Sequence, residues 1–340
     1  MLEGLSVSFD QLVGQDRVVR FLKAMLKRRR IAHAYCFYGP RGVGKLKAAI
    51  QLAKAINCKE LDGEACDHCH ICRRIENGNH PDVVRIAPEG QSIKIEQIRL
   101  IKQEFSFGAS EAVRRILIIQ QADEMTLEAA NSLLKFLEEP GVPMVAILIT
   151  ENMHALPDTV LSRCQQVRFV PLSPEIITKK LVERGAHPRQ ARIAAHLANG
   201  VDEAWEIVEE DGFAQFCERV IKWSQEIISG NPGALVTLQA ELLHDVEKER
   251  IKRMLDIMQF WFRDILNCHL KRANEPLFPE FHPEHQKIKL PLSKLLHMMN
   301  SIETSNKALM SPVQPQAVLE QMVLGMQEGS VDVSRRRRSF

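Results

Sequence analysis

The sequence contains no run of apolar residues that approaches the roughly 20 residues needed to cross a bilayer. Its longest apolar run extends from Met144 to Thr150, which is the length of a strand. The first residues carry acidic side chains and no continuous apolar segment, so no secretory signal peptide is indicated. We therefore expect a soluble cytoplasmic protein without a membrane partner.

An excess of charge of one sign is also lacking, because 45 Lys and Arg side chains are balanced by 43 Asp and Glu side chains. The net charge of +2 provides no overall field that would favour tight nucleic-acid binding by this chain alone. Aromatic residues make up only 6% of the chain, but 45% of its residues are hydrophobic, which is enough for packed cores. At 340 residues, two or three domains are expected.

The eight cysteines are unevenly distributed, since half of them lie in one short stretch of the chain. These four follow a C-x₇-C-x₂-C-x₂-C spacing at Cys58, Cys66, Cys69 and Cys72. Two-residue spacings turn successive thiolates towards one ion, and four sulfurs complete the tetrahedral shell of a structural Zn²⁺. The alternatives are free thiols, a redox pair, an iron–sulfur cluster, or a site in which His68 or His70 replaces one cysteine.

Strand and helix patterns alternate in the first half of the chain. The predicted strands are residues 34–38, 83–87, 115–119, 144–150 and 165–170, and the predicted helices among them include residues 45–57, 95–105 and 126–137. Repeated β-then-α units predict an α/β domain whose parallel sheet is covered by helices on both faces. Beyond Pro174 strand patterns almost disappear and the sequence becomes helical.

The changes of pattern predict four regions. Residues 1–170 form the α/β domain with a zinc module inserted at residues 57–78, and residues 171–212 form a small helical lid. Residues 213–330 form an all-helical domain, and residues 331–340 form a disordered basic tail. The Arg335–Arg338 run in this tail is interpreted as solvated, with contacts to DNA phosphates as the alternative.

Residues 39–45, with the sequence GPRGVGK, fit a phosphate-binding loop that has a strand before it and a helix after it. Gly39, Gly42 and Gly44 let backbone N–H groups converge on phosphate oxygens, and Lys45 supplies a positive charge. The next position usually carries a hydroxyl that binds Mg²⁺, but here it is Leu46. A plain glycine turn between strand and helix is the alternative.

A phosphate-loop ATPase also needs an Asp for Mg²⁺ at the end of a second strand, usually followed by a Glu that activates water. The matching strand is followed instead by Gln120 and Gln121, and amides cannot replace these carboxylates. Asp123 and Glu124 come shortly afterwards, either as a displaced acidic pair or as an ordinary acidic helix start. We therefore expect a degenerate ATPase site and no enzyme activity of the chain on its own, while ATP binding stays open.

Two further motifs resemble those of the clamp-loader subunits of bacterial DNA polymerase III, which are AAA+ proteins. Residues 131–140, NSLLKFLEEP, resemble the signature helix of that family, and Leu161-Ser162-Arg163-Cys164 resembles its Ser-Arg-Cys motif. The order of phosphate loop, cysteine cluster and both motifs matches as well, over roughly residues 15–170. The departures at Leu46, Gln120 and Gln121 separate this chain from the active gamma/tau ATPases. The acidic residues 201–204 agree, since ATP-responsive members carry a lid arginine there.

The resemblance implies roles for several of these residues. It implies that Arg163 reaches across a subunit interface to the γ-phosphate of a neighbouring ATPase, whereas a surface ion pair is the alternative from sequence alone. Ser162 and Cys164 are expected to position this loop rather than to react. The resemblance also implies structural zinc in the cysteine module and a collar for subunit association in the helical C-terminal domain.

The partners that the resemblance implies are the gamma/tau and delta subunits of a hetero-pentameric loader. The sliding clamp and primed DNA are then reached through the complex. Two other functions fit parts of the sequence. One is a self-sufficient ATPase that uses Asp123 and Glu124. The other is a zinc-dependent DNA-binding module, but the near-neutral charge and the lack of base-reading arginines beside the cysteines argue against it.

Overall fold

The computed structural model separates the chain into two compact units. The described residues are 9, 12–61, 63–106, 112–138, 143–243, 248–272, 276–311 and 313–328. The first unit contains the described residues up to Leu181 together with Ala198–Trp205. The second contains Val182–Leu197 and the described residues from Glu206 onward. The lid predicted at residues 171–212 is thus shared between the units, and the Arg335–Arg338 tail lies outside the described residues.

A five-stranded parallel sheet forms the centre of the first unit. Its strands are β1 (Ala34–Tyr38), β2 (Val83–Ile86), β3 (Arg115–Ile119), β4 (Met144–Thr150) and β5 (Gln165–Arg168). They lie in the order β2-β3-β4-β1-β5, and every pairing is parallel. The sheet confirms the predicted α/β class, and the strands differ from the predicted segments only at the ends of β2 and β5.

Helices cover both faces of this sheet. They are α1 (Asp16–Lys27), α2 (Lys45–Asn57), α3 (His70–Glu76), α4 (Ile95–Ser106), α5 (Leu127–Glu138) and α6 (Asp158–Leu161). The next helix, α7 (Pro174–Glu183), begins in the first unit and ends in the second. Side chains of one strand alternate between two cores, as the pleat requires. Phe37 of β1 packs in the core that contains α1 and α2, while Cys36 packs in the core that contains α4 and α5.

The second unit is built from helices. They are α8 (Pro188–Leu197), α9 (Val201–Glu209), α10 (Phe213–Ile228), α11 (Gly233–Thr237), α12 (Lys248–His269), α13 (His282–His285), α14 (Leu292–Leu309) and α15 (Pro315–Glu328), of which α9 begins in the first unit. Trp223 and Trp261 are fully buried in this unit, and the indole N–H of Trp223 donates to the carbonyl of Ala234 at 2.9 Å. None of the described helices is long and apolar enough to span a membrane.

The sequence of α12 contains a stripe of apolar residues at helical spacing, for which the sequence allows either core packing or part of a subunit interface, and most of this stripe is buried. Its buried members are Met254, Leu255, Met258, Trp261, Phe262 and Ile265. Leu266 is half-buried and follows the stripe at its end. Packing within the unit therefore accounts for the stripe, and a subunit interface along part of it stays a prediction.

Candidate functional site

The phosphate loop joins β1 to α2, which is the context that the motif requires. Gly39, Gly42 and Gly44 have φ angles of 147°, 77° and 90°, a region that glycine adopts without steric cost. A Cβ at Gly39 would lie only 2.4 Å from the carbonyl oxygen of Phe169, so this glycine is also required by the neighbouring chain segment. The backbone conformation of the loop therefore depends on these glycines, and the loop is not an unconstrained connection.

Lys45, the first residue of α2, turns its ammonium group back towards the loop itself. Its Nζ donates to the carbonyl oxygens of Gly39 and Pro40, at 2.6 Å in the second case, and only 7% of the residue is exposed. Two of the three N–H donors of this ammonium group are thus engaged by its own loop.

Three acidic side chains act electrostatically on Lys45. Burial lowers the pKa of Lys45, and the negative charges of Glu151, Asp123 and Glu203 oppose that effect. Asp123 lies in a short 3₁₀ turn after β3 and accepts a hydrogen bond from the backbone N–H of Asn152 at 3.2 Å. Its other oxygen, Oδ1, is buried and has no hydrogen-bond partner among the residues the structure describes. Asp123 thus acts electrostatically on Lys45 and carries one buried carboxylate oxygen without a partner in the described part of the chain.

The magnesium-binding positions do not carry suitable side chains. Leu46 packs against the core on the α2 side of the sheet. Gln120 directly follows β3 and is half-buried, and Gln121 adopts a left-handed backbone with φ of 48° at an exposed position. A leucine side chain and two neutral amides do not form the hydroxyl-and-carboxylate shell that Mg²⁺ has in phosphate-loop ATPases.

The start of α9 lies directly on the phosphate loop. A Cβ at Gly200 would be 1.8 Å from the carbonyl oxygen of Gly42 and 3.1 Å from the nitrogen of Val43. The side chain of Glu203 also touches Gly42, since a Cβ there would lie 2.6 Å from Glu203 Oε2. The same oxygen accepts a hydrogen bond from the backbone N–H of Asn199 at 2.9 Å. The acidic residues after Gly200 are visible in the sequence, but their contact with the phosphate loop is not, because it joins two segments that are far apart in the chain.

Arg163 lies just after α6, with its guanidinium on the surface of the first unit. Its Nη2 is 2.6 Å from Glu138 Oε1, and its Nη1 donates to the carbonyl of Thr159 at 2.9 Å and lies 3.4 Å from Ser162 Oγ. About 38% of the side chain is exposed. The arginine is therefore held in one orientation at the end of the α5 signature helix, with part of the guanidinium facing outward.

Cys164, the residue after Arg163, has no features of a nucleophile. Burial raises the pKa of its thiol to about 11, so the thiolate is scarce at neutral pH. The thiol packs at the edge of the core on the α4 and α5 side of the sheet. A positioning role for Cys164 agrees with both observations.

The four clustered cysteines come together in space. The Sγ atoms of Cys58, Cys66, Cys69 and Cys72 all lie within 4.8 Å of one another, and those of Cys66 and Cys72 are 3.9 Å apart. Four sulfurs at about 2.3 Å from a zinc ion would be roughly 3.8 Å apart along each edge of the tetrahedron. The donor set therefore fits Zn²⁺.

Backbone groups orient two of these sulfurs. The N–H of Cys69 donates to Cys66 Sγ at 3.3 Å, and the N–H of Cys72 donates to Cys69 Sγ at 3.4 Å. Burial raises the pKa of Cys72 well above its ordinary value, so its thiolate form needs a cation beside it. His68 is exposed and bonds to Glu60 and to the carbonyl of Cys66, which favours the four-cysteine set over a set with histidine.

A buried lysine ties the cysteine module to α2. The Nζ of Lys54 lies 2.8 Å from Asp67 and also pairs with Glu76, and only 4% of its side chain is exposed. Burial alone would lower the pKa of Lys54, but its hydrogen bonds to Asp67 and Glu76 outweigh burial and raise it. This ion triad was not visible from the sequence, because nothing in the spacing marks Lys54 as buried.

The geometry describes a phosphate-loop α/β protein whose magnesium-binding positions are altered and whose cysteine module fits zinc. Residues 14–173 match the family described as DNA polymerase III, delta subunit. Over 318 residues the chain is 36% identical to DNA polymerase III subunit delta′ of Bacillus subtilis strain 168, which covers 93% of this chain and 97% of that protein. The chain belongs to the delta′ family of DNA polymerase III subunits, which confirms the resemblance seen in its motifs.

Other relatives match a smaller part of the chain or match it less closely. DNA polymerase III subunit tau of the same Bacillus subtilis strain is 35% identical over 174 residues, which is 51% of this chain and 31% of that protein. Among solved structures, a gamma subunit-related protein of DNA polymerase III from Thermotoga maritima has a TM-score of 0.45 and 18% identity, covering 91% of this chain and 98% of that one.

Proposed function

We propose that this chain is a non-hydrolysing subunit of the sliding-clamp loader that lends Arg163 to the ATPase beside it. The observation that carries this proposal is the pairing of a well-formed phosphate loop with Leu46, Gln120 and Gln121 at the positions where Mg²⁺ and the attacking water are normally held. Without these groups the metal has no protein ligands and the water has no base. The chain then contributes to ATP hydrolysis through a neighbour rather than through its own site.

Arg163 suits such a role by its position. Its guanidinium is anchored by Thr159 and Glu138 and is still partly exposed, so it presents N–H donors outward in a planar arrangement. An arginine supplied in trans stabilises the charge on a transferring phosphoryl group and is worth about 10³–10⁵ in rate. The ion pair with Glu138 holds this side chain in the free chain.

The proposed partners follow from family membership. The chain acts in DNA replication as an accessory subunit of DNA polymerase III, in the cytoplasm, within a hetero-pentamer of gamma/tau and delta subunits. Its similarity to delta′ and tau supports this assembly. The complex as a whole opens the sliding clamp and places it on primed DNA.

Zinc has a structural role in this proposal. Cys58, Cys66, Cys69 and Cys72 together form a closed four-sulfur shell that leaves no position open for a substrate. When bound, the ion supplies positive charge that holds four thiolates together. The cysteine module is then a rigid part of the first unit rather than a reaction centre.

One observation favours a second candidate function, a self-sufficient ATPase. The charge of Asp123 acts on Lys45 of the phosphate loop, and one buried oxygen of Asp123 has no partner in the described part of the chain. A carboxylate in this place is a plausible substitute ligand for Mg²⁺. The two functions differ in whether the isolated chain turns over ATP.

ATP hydrolysis by the purified chain, without partners, tests the proposal. We expect no release of phosphate above background, with Lys45→Ala and Asp123→Asn indistinguishable from the unaltered chain. Turnover that both substitutions abolish would establish the ATPase instead. Turnover that neither substitution changes would point to a contaminating enzyme, and the preparation would be purified further until the two variants decide between the functions.

A further inference from the structure

We propose that the first turn of α9 is the resident occupant of the phosphate loop, and that Glu203 is the side chain that excludes phosphate anions from it. This inference rests on the proposed non-hydrolysing function and deepens it. The first turn of α9, with the carboxylate of Glu203, would then lie where a nucleotide phosphate lies in an active site. Both segments belong to the first unit, so the contact lies within one compact body.

The backbone contact is the first part of the argument. Gly200 approaches the peptide between Gly42 and Val43 so closely that an added Cβ would lie 1.8 Å from the Gly42 oxygen and 3.1 Å from the Val43 nitrogen. A phosphate loop binds its ligand through backbone N–H groups that face the anion. Gly200 therefore packs against the carbonyl side of this loop peptide, and only a residue without a side chain can approach it so closely.

Charge is the second part of the argument. Glu203 Oε2 is held by the N–H of Asn199 at 2.9 Å and lies against Gly42. A carboxylate in this position repels the oxygens of an incoming phosphate at short range. The negative charges of Glu151 and Asp123 also act on Lys45, which makes the surroundings of the loop less favourable for a further anion.

The orientation of Lys45 is the third part of the argument. Its ammonium donates to the carbonyls of Gly39 and Pro40, both within the loop. The loop therefore has its cation turned inward, and its Gly42–Val43 peptide is in contact with Gly200. The contact of Gly200, the carboxylate of Glu203 and the inward orientation of Lys45 all favour a loop that is closed by its own chain.

Asp202 provides a matched comparison for Glu203. The two acids are adjacent on the first turn of α9, but Asp202 Oδ2 faces Lys47 of α2 at 3.6 Å, with half of its side chain exposed. Removing the charge of Asp202 changes the net charge of the segment as much as removing that of Glu203. The side chain of Glu203 lies against Gly42 of the loop, whereas that of Asp202 pairs with Lys47 of α2.

The experiment is a calorimetric titration of the full chain with inorganic pyrophosphate and with ADP, both without Mg²⁺. The unaltered chain and Asp202→Asn are expected to bind neither ligand in the low millimolar range. Glu203→Gln is expected to bind pyrophosphate at least about tenfold more tightly, because one like charge has left the site. This gain should disappear in Glu203→Gln combined with Lys45→Ala, which identifies the loop as the place of binding.

Amide hydrogen exchange at residues 42–45 provides a second measurement that does not depend on ligand affinity. Gly200→Ala and Glu203→Gln should both speed exchange there, since each removes or weakens the contact with α9, while Asp202→Asn should leave the rates unchanged. Equal behaviour of Glu203→Gln and Asp202→Asn in both experiments would overturn the inference. An unaltered chain that binds pyrophosphate without turning over ATP would also overturn it, yet would leave the non-hydrolysing role intact. ATP turnover by the isolated chain would instead remove the proposed function.

Discussion

Lys54 lies on the buried side of α2 and contacts two carboxylates of the cysteine module. Its side chain is 4% exposed, whereas Asp67 and Glu76 are 30% and 53% exposed, so the pair is buried at one end and wet at the other. The two carboxylates offset the free-energy cost of burying the ammonium group. Removing one partner of such a pair lowers the stability of the folded state, because a buried charge is left without compensation. Lys54 therefore links the module to the phosphate-loop helix by charge as well as by packing.

Replacing Lys54 with Met keeps most of the apolar stem and removes the charge. We expect the free energy of unfolding to fall by about 1–3 kcal/mol, less than for a fully buried pair because the carboxylates are partly solvated. The midpoint of urea unfolding measures this change. Lys47→Met is the matched control, since Lys47 makes a 3.6 Å pair at the surface and should cost less than about 1 kcal/mol.

The pH dependence of this contribution has a definite sign. Because the pKa of Lys54 is raised in the folded chain above the ordinary value of 10.5, its stabilisation is fully present below that value and is lost as the pH rises through the folded-state pKa. The difference between the unaltered chain and Lys54→Met should therefore be constant around neutral pH and shrink only in strongly alkaline solution. A difference that disappears between pH 6 and pH 8 would contradict the ion triad.

Among the elements, α3 is the one whose stability we expect to depend most on a metal held by the cysteine cluster. It has only seven residues, too few for a stable isolated helix, and its N-cap is Cys69, whose sulfur accepts from the N–H of Cys72. Ile71 and Ile75 on its inner face are buried, which supplies some packing. We expect the four clustered cysteines and this small apolar face to stabilise the helix together.

Cys69→Ser should release zinc and speed amide exchange across residues 58–78, while the rest of the first unit stays protected. Loss of one thiolate opens the tetrahedral shell and removes the cap of α3. Metal analysis by mass spectrometry together with hydrogen exchange measures both effects. Cys268→Ser, in α12 of the second unit, and His68→Ala should each keep the zinc content unchanged. If the purified, unaltered protein contains no zinc, the four clustered cysteines do not form a zinc site.

The elements differ in how well their sequence predicts them. β1, β3 and β4 are predictable because each is a continuous apolar run that is buried on both faces of the sheet. The phosphate loop and the cysteine spacing are predictable because their residues are close together in the chain. The contacts of Glu203 with Gly42 and of Arg163 with Glu138 are not, since they join separate elements and depend on the packing between them.

At the scale of the whole molecule, the first unit carries two features related to nucleotide chemistry, and only one of them is proposed to act on a nucleotide. The phosphate loop faces a turn of its own chain, and Arg163 faces outward at the end of α6. In the proposed function, the first feature excludes phosphate from this chain's own loop, and the second acts on ATP held by a neighbouring subunit. The three-part division into α/β domain, lid and collar stays a prediction.

The most direct test of the account is ATP hydrolysis and clamp loading by a reconstituted complex that carries Arg163→Ala. The complex should assemble normally, since the lost ion pair with Glu138 is exposed and is worth at most about 1 kcal/mol. Clamp loading should slow at least about tenfold, because the missing guanidinium no longer stabilises phosphoryl transfer next door. Arg163→Lys should recover part of the rate, and Arg168→Ala, on the exposed side of β5, should have none of this effect. Normal hydrolysis and loading by an assembled Arg163→Ala complex would contradict the account.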